Sequence, residues 1–184
     1  MTTVDERVRY YEPFFGKWYL NDPPEVLGQG NSGTVYLVHS DQDVSAALKV
    51  IPIPRDEAQY KEKLQAFGGS EERVREWIDR ELRYAQTEIE IMQRMKKENN
   101  IVCFEDATIY QRADTYGYDV IIRMEKLVRL DSFLRVCDFT YNMKRNEELF
   151  LRIWIELAQG LREHTSCVGK PPPKESWLDT DPAS

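Results

Sequence analysis

The chain has 184 residues, 41% of them hydrophobic and 31% charged, with a net charge of −7. This is enough apolar material for one folded domain and excludes a chain disordered throughout, and the acidic balance argues against nucleic acid as the main partner and suits a soluble, cytoplasmic protein. Cys103, Cys137 and Cys167 are odd in number and far apart, which points to reduced thiols, and His39 and His164 show no metal-ligand spacing with them. No secretory leader, internal repeat or membrane-length apolar run is read, so neither export nor a membrane partner is expected. Residues 1–13 are a polar N-terminal extension expected to begin loosely. Phe14-Phe15-Gly16-Lys17-Trp18-Tyr19-Leu20 is aromatic-rich and reads as the approach to a first strand, which Asn21-Asp22-Pro23-Pro24 interrupts because proline removes ladder donors.

Gly28-Gln29-Gly30-Asn31-Ser32-Gly33-Thr34-Val35 follows, with the pattern GxGxxGxV. Glycines in that pattern also occur in plain turns and in the dinucleotide-binding turn of oxidoreductases, which must run from a strand into a helix. Here Thr34-Val35-Tyr36-Leu37-Val38 is a β-branched and aromatic run that favours a strand, so the glycines sit in a hairpin. Such a hairpin is either an ordinary β-turn or a backbone lid over phosphates, a task glycine suits because it has no side chain to hold a ligand away. After the polar turn Ser40 to Asp43 comes Ala46-Ala47-Leu48-Lys49-Val50-Ile51, an apolar strand carrying one lysine.

Glycine hairpin, strand, turn and an AxK strand in that order resemble the protein kinase family, most closely its soluble serine/threonine members. Ala46-Ala47-Leu48-Lys49 stands where the family has VAIK, with alanine in place of the leading valine. The first strand of a kinase usually runs unbroken into the loop, so Pro23 and Pro24 are a departure. The resemblance implies a mixed α+β fold: a kinase N-lobe of five antiparallel strands with a long αC helix, spanning residues 14–127, and a helical remnant of the C-lobe over 128–166. Residues 55–80 read as an insertion with an extra helix, and 167–184, with Pro171-Pro172-Pro173, as a disordered tail.

Ser70 is the expected N-cap of the long helix, with Glu71 and Glu72 in its first turn. Val74, Trp77, Ile78, Leu82, Ala85, Ile89, Met92 and Met95 then recur at helical spacing as an inward stripe. Glu88 falls where the αC glutamate is expected and by resemblance pairs with Lys49, giving a cation that must touch phosphates a fixed partner; Glu90, two residues on, is the competitor. Strands are expected over 101–109 and 118–124. By resemblance Met124 is the gatekeeper, the backbones of Glu125 and Leu127 face an adenine edge, and Val35 and Ala47 line the same slot. Asp131 reads equally as a ribose contact or as a helix N-cap.

The resemblance implies ATP as ligand: Gly28, Gln29, Gly30, Asn31, Ser32 and Gly33 cover its phosphates and Lys49 contacts them. A further helix, beginning at Asn146-Glu147-Glu148, carries Leu149, Phe150, Ile153, Trp154, Leu157 and Leu161 on one face. Beyond it the chain shows neither HRDxxxxN nor DFG; Cys137-Asp138-Phe139-Thr140 precedes that helix and lacks the glycine. Without those aspartates no catalytic residue or metal ligand is identified, so magnesium is expected only as an ion accompanying ATP, and the chain is expected to be inactive alone. The expected partners are ATP, protein substrates or a regulatory protein, and a second copy through the apolar face of the last helix. Two readings stay open: the ATP-binding portion of a kinase that stops before its catalytic loop, and a pseudokinase-like module for nucleotide or protein binding.

Overall fold

The computed structural model describes residues 4–96, 98, 100–113, 116–128, 132 and 151–160. In chain order the elements are α1 (Val4–Arg9), β1 (Trp18–Leu20), β2 (Val26–Gly30), β3 (Gly33–Ser40), β4 (Ser45–Ile53), α2 (Glu57–Ala66), α3 (Glu71–Arg94), β5 (Phe104–Gln111) and β6 (Tyr118–Met124). The fold is mixed α+β. Its strands form one antiparallel sheet in the order β1-β3-β4-β6-β5, with β2 also paired to β3.

Six strand segments occur where five strands are expected, and the proline pair is the reason. β1 pairs with the end of β3 (Trp18 opposite Ser40, Leu20 opposite Val38), and β2 pairs with its beginning (Val26 opposite Tyr36, Gly30 opposite Gly33). Both lie along the same edge of β3, and Pro23 and Pro24, which have no N–H to donate, separate them. Pro52 instead lies inside β4, past Val50, where the pairing with β3 has ended and β4 has become an edge on that side.

Directly opposed residues of an antiparallel pair share a face. The register therefore places Val35, Lys49 and Ile122 in one cross-strand row, and Leu37, Ala47 and Met124 in the next, all on one face of the sheet. α3 packs against this face through Val74, Trp77, Ile78, Ala85 and Ile89, joined by Ile53, Val120 and Ile122 from the strands. Ser70 caps α3 as the sequence indicates, its side chain accepting from the Arg73 N–H, and the apolar residues at three- and four-residue spacing are the ones that become buried. The extra helix is α2, capped by Asp56, whose carboxyl is held below its ordinary range chiefly by the Gln59 N–H it accepts.

The other face is not open, and here the expected loose N-terminal extension is corrected. Val8, Phe14, Trp18 and Leu20 cover Tyr36, Val38, Leu48, Val50 and Ile121 in a second core. A buried carboxylate fastens this layer: Asp119 has no exposed surface and accepts from Arg7 Nε at 2.7 Å, Arg112 Nη2 at 2.9 Å and Tyr11 Oη at 2.8 Å. Burial, then the bond to Asp119, pushes the Tyr11 hydroxyl well above its ordinary range. Four residues along β6, Arg123 lies under Trp18, 4.5 Å from its ring centroid, and pairs with Glu105 and Asp106, which the β5 bulge brings opposite it. Burial lowers the pKa of its guanidinium.

Candidate functional site

The glycine hairpin closes through a two-residue turn, Asn31-Ser32, between Gly30 and Gly33, and the chain continues directly as β3. A strand after the third glycine is incompatible with the strand-to-helix turn of a dinucleotide-binding fold. The three glycines differ in what the fold asks of them. Gly33 has φ +119°, and a Cβ there would lie 2.1 Å from the Val50 carbonyl oxygen, so only glycine fits. At Gly28 and Gly30 a Cβ would meet nothing within 4 Å. No steric contact requires glycine at these two positions, although Gly28 adjoins an irregularity in the β2–β3 register, and they leave bare backbone on the strand that lies opposite Val35.

Lys49 lies directly opposite Val35 in the same row, and its Nζ donates to Glu88 Oε1 at 2.7 Å. The lysine side chain is 19% exposed and that of its partner 46%. The pair therefore sits at the rim of the α3 packing, where solvent screens it only in part. Glu90 turns elsewhere and pairs with Arg94 at 3.6 Å, so α3 geometry selects Glu88 of the two carboxylates. Ala47 and Met124 are directly opposite each other one row further along, with Ala47 buried and Met124 half-buried.

β6 then leaves the sheet. The Glu125 N–H donates to the Cys103 carbonyl at 3.1 Å, and the Glu125 carboxylate takes the Cys103 N–H at 2.6 Å, so both backbone groups of Cys103 are tied to one residue. Leu127 follows and is 61% exposed. The structure thus brings Gly28, Gly30, Gly33, Val35, Ala47, Lys49, Glu88 and Met124 to one face, with Gln29, Asn31 and Ser32 on the hairpin and Glu125 and Leu127 at the exit of β6. Asp131 lies outside the described residues. So do Leu149, Phe150 and Leu161 of the last apolar face; within 151–160, which is helical, Trp154 is 58% and Leu157 50% exposed and Ile153 half-buried.

A cleft of about 260 Å³ opens at the hairpin tip, between Asn31 and Ser32, the exit of β4 from Ile51 to Arg55, and α3 from Trp77 to Glu88. Its α3 wall was not legible as a site, because Trp77 and Ala85 carry the same spacing as the rest of the packed stripe. Among the described residues no group of three or more His, Cys, Asp or Glu is placed to hold a metal ion, and no helix is long and apolar enough to cross a membrane. The chain matches neither a protein-family model nor a curated protein.

Proposed function

We propose that this chain is the ATP-binding portion of a serine/threonine protein kinase domain, built on a kinase-like N-lobe, and that it is catalytically incomplete. The observation that carries the proposal is the 2.7 Å bond from Lys49 to Glu88, made on the sheet face that also presents Val35, Ala47 and Met124 and begins under a glycine hairpin. A lysine fixed in direction by a carboxylate can present its remaining N–H groups to an anion, and bare backbone at Gly28 and Gly30 lets phosphates approach closely. In this reading an adenine ring would stack on the apolar row of Ala47 and Met124, and the Glu125 carbonyl and the Leu127 backbone would meet its edge.

The proposed chemistry stops at binding. Phosphoryl transfer requires an aspartate to orient the acceptor hydroxyl and metal ligands to neutralise developing charge, and this sequence has neither HRDxxxxN nor DFG. Because the sequence carries neither motif that would supply protein ligands to an accompanying magnesium ion, affinity in this reading rests on Lys49, the hairpin and the adenine slot. Titration with a non-hydrolysable ATP analogue tests the reading. At about 100 times the dissociation constant the ligand adds roughly 2.7 kcal/mol of stability, a rise of about 5–10 °C in Tm for a chain of this size. A folded sample that shows no shift with ATP analogues or with an adenine-site inhibitor contradicts it.

A further inference from the structure

Past Lys49 the same sheet face runs into the cleft at the hairpin tip. Trp77, Glu81, Tyr84 and Glu88 line it from α3 at successive spacings of four, three and four, so aromatic and acidic side chains alternate along one helical stripe. Opposite them, Ile51 and Ile53 supply an apolar wall. Glu81 makes no ion pair or hydrogen bond among the described residues, while Glu88 commits Oε1 to Lys49. Arg55 also lines the cleft, but its Nε is engaged by Asp56 at 3.0 Å. The cleft thus sets an apolar wall of Ile51, Ile53 and Trp77 against the carboxylates of Glu81 and Glu88 on α3, with Asn31, Ser32, Gln59 and Arg55 as its other polar lining. Its volume of about 260 Å³ falls below the roughly 300–1,000 Å³ of pockets that enclose a whole small molecule, which suits one long side chain.

We propose that the cleft docks an arginine side chain presented by a partner peptide. The methylene stem packs between Ile53 and Trp77, and the guanidinium lies between the carboxylates of Glu81 and Glu88 with its plane against Tyr84. Arginine fits better than lysine because its planar cation both stacks on aromatic rings and bonds carboxylates through a fork of N–H groups. The occupant shares Glu88 with Lys49, so docking and the Lys49 latch compete for one carboxylate. The inference does not depend on nucleotide binding, since the peptide is measured without nucleotide.

The probe is fluorescently labelled acetyl-Leu-Arg-Leu-amide, read by anisotropy against the full chain, with the citrulline peptide as its neutral isostere. The arginine peptide is expected to bind at least about fivefold more tightly than the citrulline peptide, the order of effect of a partly exposed ion pair. Glu81→Gln should remove that preference, added salt should weaken it, and Lys49→Ala, which releases Glu88, should tighten the arginine peptide. Circular dichroism confirms that each variant is folded. Equal binding of the two peptides, an unchanged preference in Glu81→Gln, or loss of peptide binding in Lys49→Ala would overturn the proposal. So would free arginine amide binding as tightly as the peptide, because the site would then read a small cation.

Discussion

Gly33→Ala should cost the chain about 3–5 kcal/mol, while Gly28→Ala and Gly30→Ala should each change stability by no more than about 1 kcal/mol. The difference follows from what each new methyl group meets. At Gly33 it would lie 2.1 Å from the Val50 oxygen, 3.0 Å from the Val50 carbonyl carbon and 3.2 Å from the Ile51 Cα, all backbone atoms of the neighbouring strand. No side chain can swing away, so β3 and β4 must part at the row where Thr34 pairs with Val50. The residue is also held at φ +119°, a region costing an L side chain about 1–3 kcal/mol, and the displaced strands add a similar amount. Neither term exists at Gly28 or Gly30, where the methyl group enters open space. Urea unfolding followed by tryptophan emission measures this, with Gly33→Ala expected to lower the midpoint by about 2 M at the usual slope for small proteins. If Gly33→Ala unfolds at the same midpoint as Gly28→Ala, the close approach of β3 to β4 is wrong, and with it the separation of structural from binding glycines.

Asp119→Ala should cost about 3–5 kcal/mol in thermal or urea unfolding, because it leaves Arg7 and Arg112 without the buried carboxylate that compensates their charge. Tyr11 gives a pH dependence of known sign: its folded pKa is raised above the ordinary 10.0, so its contribution is complete below pH 10 and is lost as pH rises above that value. The fall in stability between pH 9 and 11 should therefore be shallower in Tyr11→Phe, as followed by melting temperature. Asp56→Ala should cost about 1 kcal/mol by removing the cap of α2, seen as faster amide exchange in residues 57–60. Gly28→Ala and Gly30→Ala, stable as folds, should each weaken binding of an ATP analogue measured by calorimetry.

The sequence made the α3-side face readable because each of its signals is local. Period-two alternation put Lys49 opposite Leu48 and Val50, a Ser-Glu-Glu start and a three-four repeat bounded α3, and the break at Pro23-Pro24 was visible as two missing donors. The pairing of Lys49 with Glu88 was implied by the resemblance and not by periodicity, which defines only the inward faces of the elements that carry the two residues. The opposite face was illegible for the complementary reason. Residues 1–13 read as a polar extension, and neither the lone Val8 within them nor the aromatic run from Phe14, which reads as the approach to a strand, has a periodicity that announces a second core. Nor does anything local mark Asp119 as a buried anchor, because its three partners come from positions 7, 11 and 112. Nothing local marks Arg123 either: its surroundings come from the N-terminal aromatics and from a bulge on β5. The choice of Glu88 over Glu90 needed the rotation of α3 about its axis, which the packing of Ala85 and Ile89 sets.

The most direct test is calorimetric titration of the chain with a non-hydrolysable ATP analogue and with adenosine, in the native protein and in Lys49→Ala. A phosphate-contacting lysine held by Glu88 requires that the native chain bind the nucleotide more tightly than adenosine, and that Lys49→Ala lose about tenfold for the nucleotide, some 1.4 kcal/mol, with little change for adenosine. Equal affinities for the two ligands, or a Lys49→Ala protein that binds the nucleotide as well as the native chain does, would contradict the nucleotide reading of this face.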